Sequence, residues 1–249
     1  PAALDGRTRR HSRRAHGGAQ PSTPSARADS RLEHEARAPS LRLRGEKKRR
    51  RPLESVRPDV VAKRAAYLRR IRRIRPDRLV FLDEAGFNLS MSRSHAWVLR
   101  GQEYIDRVPM NWGKNLTVLG AVRLTGWVVQ TTMFATANRS RFVSWLRRVL
   151  LPKLRAGDVL VMDNLAAHHG PHVRAACRRH GVRVLYLPPY SPDFNPIEAG
   201  WALQKQYVRR VAPRFPFRLR QAVHRARHRV TPLHCRNWFA HAGCPAQHR

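Results

Sequence analysis

The sequence predicts an α/β fold in which a mixed sheet is covered by helices. Three observations predict it. Short apolar runs come early, and two of them flank Thr125-Gly126, a hairpin signal. Strand-like and helical patterns then alternate, as they do in units that build parallel pairings. Finally, three acidic residues fall where an apolar run ends or a helix begins. Asp83 follows Leu79-Val80-Phe81-Leu82, Asp163 follows Val159-Leu160-Val161-Met162, and Glu198 opens a helical pattern after a proline-rich loop.

Each element has a local reason. Residues 1–50 contain no Val, Ile, Phe, Met, Trp, Tyr or Cys. Such a stretch cannot bury enough surface to offset its ordering entropy, so 1–54 is expected to be a disordered basic segment. Its run Lys47-Lys48-Arg49-Arg50-Arg51 reads first as a solvated charge cluster, with phosphate contact and a localisation signal as the alternatives. Residues 55–77 read as a basic helical linker: Arg57-Pro58-Asp59 resembles a helix start, and Val60, Val61, Ala65, Tyr67, Leu68 and Ile71 recur at mixed three- and four-residue spacings. Its arginines form a basic face, with Arg69 and Arg70 as candidate DNA contacts.

A core domain is expected over 78–244, with 245–249 as a tail. The first strand is expected at Arg78–Asp83, and the hairpin strands at Leu116–Leu124 and Trp127–Ala135. Asn138 is placed to cap a helix through Phe142, Leu146 and Leu150 that ends near Pro152. Asp158–Asp163 reads as a buried strand, Gly170-Pro171 as a helix start, and Gly181 as its stop. Val182–Leu187 is a further strand. Pro196 starts a helix carrying Ile197, Trp201 and Val208. Phe215 to about Ala242 is helical, broken at Thr231-Pro232. In this arrangement Asp83 and Asp163 can lie at neighbouring strand ends.

Composition narrows the partner. Lys and Arg number 50 against 16 Asp and Glu among 249 residues, a formal charge of +34. That is far beyond what solubility needs and makes nucleic acid the expected partner. Cys177, Cys235 and Cys244 give no disulfide framework and fit a reducing compartment. His234, Cys235, His241 and Cys244 fit no common zinc-finger spacing. No apolar run approaches a membrane span, and the basic N-terminus lacks the apolar segment of a signal peptide. The chain opens on Pro1 rather than Met, so its start is expected to be a boundary within a longer or incomplete reading frame.

From residue 81 onward there are only eight acidic residues. A fold this poor in carboxylate has few ways to hold a hard cation. Three carboxylates on rigid elements can hold two divalent ions, and two such ions can drive phosphoryl transfer on DNA. Asp83, Asp163 and Glu198 are therefore the candidate catalytic and metal-binding residues. Asn164, in a turn after the second acid, and His168 are candidate DNA contacts, as are Trp112, Lys114 and Asn115 ahead of the second strand. Glu84 should point away from the site if the strand continues, and Asp193 is expected to cap a turn in the proline-rich loop.

The segments Phe81-Leu82-Asp83-Glu84-Ala85-Gly86, Val161-Met162-Asp163-Asn164-Leu165 and Leu187–Glu198 resemble the catalytic domain of DDE transposases. The resemblance is to the mariner-like superfamily and, within it, to the bacterial insertion-sequence branch. The 34 residues between Asp163 and Glu198 match a common spacing there, and Asn237-Trp238-Phe239-Ala240-His241-Ala242-Gly243 resembles the end of those proteins. The likeness covers roughly residues 55–244. It implies a ribonuclease H-like fold and metal-dependent DNA cleavage and strand transfer at transposon ends. Two Mg2+ or Mn2+ ions are implied, with Asp83 bridging both and Asp163 and Glu198 each completing one site. His168 occupies a position usually held by His in the family; phosphate contact and a helix-start role both stay open for it. Transposon-end and target DNA are the expected partners and a homodimer is a candidate assembly. The expected location is the nucleoid-associated cytoplasm of a bacterium. Family members carry helix-turn-helix modules ahead of this domain, and residues 1–50 lack the periodicity to form one. The alternative is thus an inactive or truncated remnant that only binds DNA non-specifically.

Overall fold

The computed structural model describes residues 52–111, 113, 115–135, 138–165 and 168–244. The expected disorder of the basic segment through Arg51, the readings of Trp112 and Lys114, and the tail 245–249 lie outside the described residues. The chain divides after Arg50, and the sheet and all the helices named below belong to its second unit.

Five strands form one sheet: β1 (Leu79–Phe87), β2 (Leu116–Arg123), β3 (Gly126–Met133), β4 (Val159–Met162) and β5 (Arg183–Tyr186), in the order β3-β2-β1-β4-β5. The hairpin β2–β3 and the β1–β2 pair are antiparallel, while β1–β4 and β4–β5 are parallel. The helices are α1 (Pro58–Ile71), α2 (Arg139–Trp145), α3 (Pro171–Arg179), α4 (Ile197–Val211), α5 (Pro216–Arg227) and α6 (Pro232–His241). Asn138 caps α2, its Oδ1 accepting from Arg141 N at 3.0 Å. That helix runs on through a π turn, Leu146–Leu150, and a tight turn, Leu151–Lys153. Pro152 has no N–H to offer the preceding turn, so the regular ladder ends there.

One expectation needs correcting. The first strand does not end at Asp83. It continues to Phe87 because β2 goes on pairing with it, through Glu84↔Leu119 and Ala85↔Val118 to Phe87↔Leu116. Its parallel partner β4 stops sooner, the last pair being Phe81↔Val161. Asp83 therefore sits where β1 parts from β4, and Asp163 follows directly after β4. Continuing the register by two residues sets the two acids opposite each other.

Side chains alternate across the sheet. Leu79, Phe81 and Phe87 of β1 pack with Val118 and Val122 against Ile197, Trp201 and Val208 of α4, Leu219 and Val223 of α5, and Phe239 of α6. The Phe239 ring meets Phe81 edge-on at 5.1 Å. On the other face Val80, Leu82, Leu160 and Met162 pack against Phe142 and Trp145 of α2 and Val173 and Cys177 of α3. Each face thus closes its own apolar layer, and Asp83 lies on the α4 side.

Asp158, fully buried just before β4, anchors that strand to the β2–β3 hairpin. Its Oδ2 accepts from Arg123 Nη2 at 3.0 Å and from Arg155 N at 2.9 Å. Arg123→Met should lower unfolding free energy by about 3–5 kcal/mol at neutral pH, because it strips the close partner from a buried charge. A urea melt checks this; a loss under about 1 kcal/mol would show the pair to be dispensable.

Candidate active site

The site is assembled from three elements whose positions are set by different parts of the chain. Asp83 comes from β1 and is 7% exposed. Its Oδ1 accepts from Glu84 N at 2.8 Å, and its Oδ2 accepts from Asn195 Nδ2 at 3.2 Å. Asp163 stands in the turn after β4. Its Oδ1 accepts from Leu165 N at 3.2 Å and contacts His168 Nδ1 at 2.5 Å. Glu198 lies in the first turn of α4, where a carboxylate complements the helix dipole.

Asp83, Asp163, Asn164, Asn195 and Glu198 line one cleft of about 320 Å3, walled by the loop Leu187–Pro192. Burial pushes Asp83 up to about 8, with the Glu198 charge adding to the shift. Burial likewise raises Glu198, against an opposing pull from Lys205. Glu84 lies on the α2 face of the strand, as expected. Burial raises it too, while the nearby His168 opposes the shift.

The carboxylates are not drawn into a closed ligand array: among the described residues no group of three or more His, Cys, Asp or Glu has that geometry. The donor set nevertheless fits a hard divalent cation. Three carboxylates face one cleft, oxygen donors suit Mg2+ and Mn2+, and the buried Asn195 Oδ1 has no hydrogen-bond partner.

The proline-rich loop that delivers Glu198 is braced from α1. Arg64 donates from Nη1 to Ser191 Oγ at 2.7 Å and to Asp193 Oδ1 at 2.9 Å, and from Nη2 to Asp193 Oδ2 at 2.6 Å. Its guanidinium lies 4.1 Å over the Phe194 ring, and Tyr67 stacks on Phe194 at 5.5 Å. Asp193, expected from sequence to cap a turn, is a partner of this clamp. Tyr190 in the same loop adopts φ 53°, a left-handed conformation that costs a non-glycine residue about 1 kcal/mol or more. The clamp and the flanking prolines hold it there.

The remaining candidates are spread more widely. His168 is 1% exposed, its ring 4.3 Å from Phe142 and its carbonyl accepting from Tyr186 Oη at 3.0 Å. That places it behind Asp163, orienting the carboxylate. Asn164 lines the cleft, its side chain bonded to His169, whose ring stacks on Tyr186. Arg69 and Arg70 stand exposed on the last turn of α1 and do not line the cleft.

Residues 78–218, more than half the chain, match the family model described as DDE superfamily endonuclease. The chain belongs to the DDE superfamily endonucleases. It is 31% identical over 136 residues to the Tc1 transposase of Caenorhabditis elegans, covering 49% of this chain and 48% of that one. It is 28% identical over 142 residues to the Tcb2 transposase of Caenorhabditis briggsae, covering 53% and 52%. This DDE endonuclease chain spans about half the length of the curated relatives it matches. Among solved structures it resembles the Mos1 mariner paired end complex with Mn, with a TM-score of 0.66 at 17% identity over 85% of this chain and 67% of that one. It also resembles the Mos1 paired end complex with Mg, with a TM-score of 0.62 at 19% identity over 87% and 72%. The shared fold is ribonuclease H-like.

Sequence reasoning missed two contributors to this DDE endonuclease site. Asn195 ties Asp83 to the Glu198 helix: its side chain bonds Asp83 and its carbonyl accepts from Glu198 N at 3.2 Å. Arg64 acts from outside the matched residues. The position of Asn195, three residues before Glu198 and between Phe194 and Pro196, was the available signal.

The raised Asp83 value has a measurable consequence. The folded chain holds the Asp83 proton more tightly than the unfolded chain does, from the ordinary value of 3.8 up to about 8. The stability this contributes is full below about pH 4 and is lost as pH rises toward 8. In the presence of EDTA, the urea midpoint should fall between pH 5 and 8, and Asp83→Asn should flatten that fall. A parent midpoint that rises steadily over the same range would contradict it.

Proposed function

We propose that this chain is the catalytic domain of a transposase, cutting DNA at the ends of a mobile element and joining the released 3′ ends to target DNA. The convergence of Asp83, Asp163 and Glu198 on one cleft in a DDE endonuclease fold carries this reading. Two Mg2+ or Mn2+ ions held by these carboxylates would lower the pKa of attacking water and stabilise the leaving oxygen. Asp83 would be shared between them, with Asp163 and Glu198 each completing one. His168 holds Asp163 in place, Asn195 holds Asp83 to Glu198, and the Arg64 clamp limits the loop that carries them.

Support for metal and DNA comes from the Mos1 relatives, solved with Mn, with Mg and as paired-end complexes with a transposon end. Those complexes also motivate a homodimer. The 34-residue interval between Asp163 and Glu198 supports placement in the insertion-sequence branch. A bacterial, nucleoid-associated cytoplasmic location goes with that branch. We keep the division into a basic segment 1–54, a helical linker 55–77 and a catalytic domain 78–244. Lys114, Asn164, Arg69 and Arg70 remain candidate DNA contacts.

The test is a nicking and strand-transfer assay on DNA carrying the inverted repeats that flank the coding sequence, with Mn2+ and with EDTA. Metal-dependent cuts at the repeat ends support the reading. A second reading is a copy that binds DNA without cutting it. Binding with no cut in Mn2+ would favour that second reading.

A further inference from the structure

The sheet opposite Glu198 carries a contact too close for any side chain. Gly120 of β2 is the ladder partner of Asp83. A Cβ built on Gly120 would stand 2.6 Å from Trp201 Cη2 and 2.9 Å from Trp127 Cζ3. Real Cβ atoms essentially never approach other atoms so closely, so the glycine is required by space rather than by backbone angle. Trp201 is 1% exposed and tilts against Trp127 with ring centroids 4.9 Å apart. Trp127 in turn rests on Gly200, where a Cβ would meet its ring at 3.2 Å. The helix α4 thus lies on the sheet through an indole seated on bare backbone.

Trp201 is three residues after Glu198, so the two share one face of α4. A displacement of the indole away from the sheet must move Glu198 within the same helical turn. Asp83 and Gly120, as cross-strand partners, point their Cβ positions to the same side. At the other end of that turn, Asn195 fixes Glu198 N and Asp83 together. Two supports therefore set the gap between Glu198 and Asp83, one polar and one steric.

We infer that the Trp201–Gly120 contact is the spacer that sets how close Glu198 comes to Asp83, which makes Gly120 a positioning residue of the site. The indole N–H groups of Trp127 and Trp201 are both buried without a partner, so this pair is kept for its shape at the cost of two unsatisfied donors. The inference rests on the catalytic reading above for its consequence, and on the geometry alone for its existence.

The test uses the full chain in four forms: G120A, W201F, the double variant G120A/W201F, and V223A as a control. Val223 is fully buried in α5, in the same apolar layer as Trp201, and its truncation should lower the melting temperature while leaving Gly120 and Trp201 themselves unaltered. Hydrogen exchange at the Glu198 amide reads the mount with no ion present, and Mn2+ titration reads the site. In G120A both should worsen by about tenfold or more, beyond V223A at equal stability, and the double variant should recover part of each loss, since the 2.9 Å approach to Trp127 remains. Unchanged Glu198 exchange in folded G120A overturns the inference. So does a double variant that folds yet recovers nothing. Should G120A not fold, W201A removes the spacer instead of overfilling it, and unchanged Glu198 exchange there overturns the inference as well. A parent that binds no Mn2+ sinks the catalytic reading, while the exchange measurement still decides the spacer.

Discussion

Asp83→Asn, Asp163→Asn and Glu198→Gln are each expected to lower DNA nicking about a thousandfold or more while leaving the chain folded. Each amide keeps the shape of the acid and removes a charge that the reaction needs. The effect on stability should run the other way for Asp83. A buried carboxylate beside Glu198, raised to about 8, opposes the folded state near that pH, and the amide removes this opposition. The melting temperature of Asp83→Asn in EDTA at pH 8 should therefore equal or exceed the parent value. DNA binding should persist or tighten, because a repulsive charge is gone from a cleft that meets phosphates. Nicking by Asp163→Asn at the parent rate would defeat the mechanism. A collapse of folding in all three variants would instead show the acids to be structural.

The second large effect is in binding. A chain with a formal charge of +34 should bind duplex DNA mainly through phosphates, with counterion release as the driving term. If about six to ten phosphates are engaged, affinity should fall by about three to five orders of magnitude between 50 and 200 mM salt. A fluorescence anisotropy series across that range reads the slope. Discrimination between the element ends and scrambled duplex should stay below about tenfold, since no reading module is evident in the described residues. A shallow slope with strong discrimination would reveal a base-reading surface.

Much of the fold was legible because its signals are local. The Asn138 cap, the Gly170-Pro171 start and the Thr231-Pro232 break are each decided within a few residues and stand where the pattern put them, while the hairpin turn falls at Leu124-Thr125, one residue ahead of its Thr125-Gly126 signal, because Gly126 pairs with Arg123. The error at β1 has the opposite origin. Whether Asp83 ends a strand depends on the length of β2, which pairs with it from more than thirty residues away. The acids were visible as exceptions, polar residues closing apolar runs in a chain poor in carboxylate. Their supports were not. Arg64 reaches Asp193 across 129 positions and Asn195 reaches Asp83 across 112. Gly120 looks like any glycine in a strand until an indole is found lying on it.

The Arg64 clamp also bears on where this protein can be cut. The family match begins at residue 78, which invites a fragment starting there. Such a fragment would leave Arg64 and Tyr67 behind, and with them the stack on Phe194 and the grip on Asp193. Tyr190 would lose the restraint that keeps it left-handed, and the loop leading to Glu198 would be free to relax. The smallest unit that keeps this site braced is therefore longer than the segment by which its kinship is recognised. Any recombination or truncation that separates α1 from the sheet would yield a recognisable descendant with an unbraced third acid.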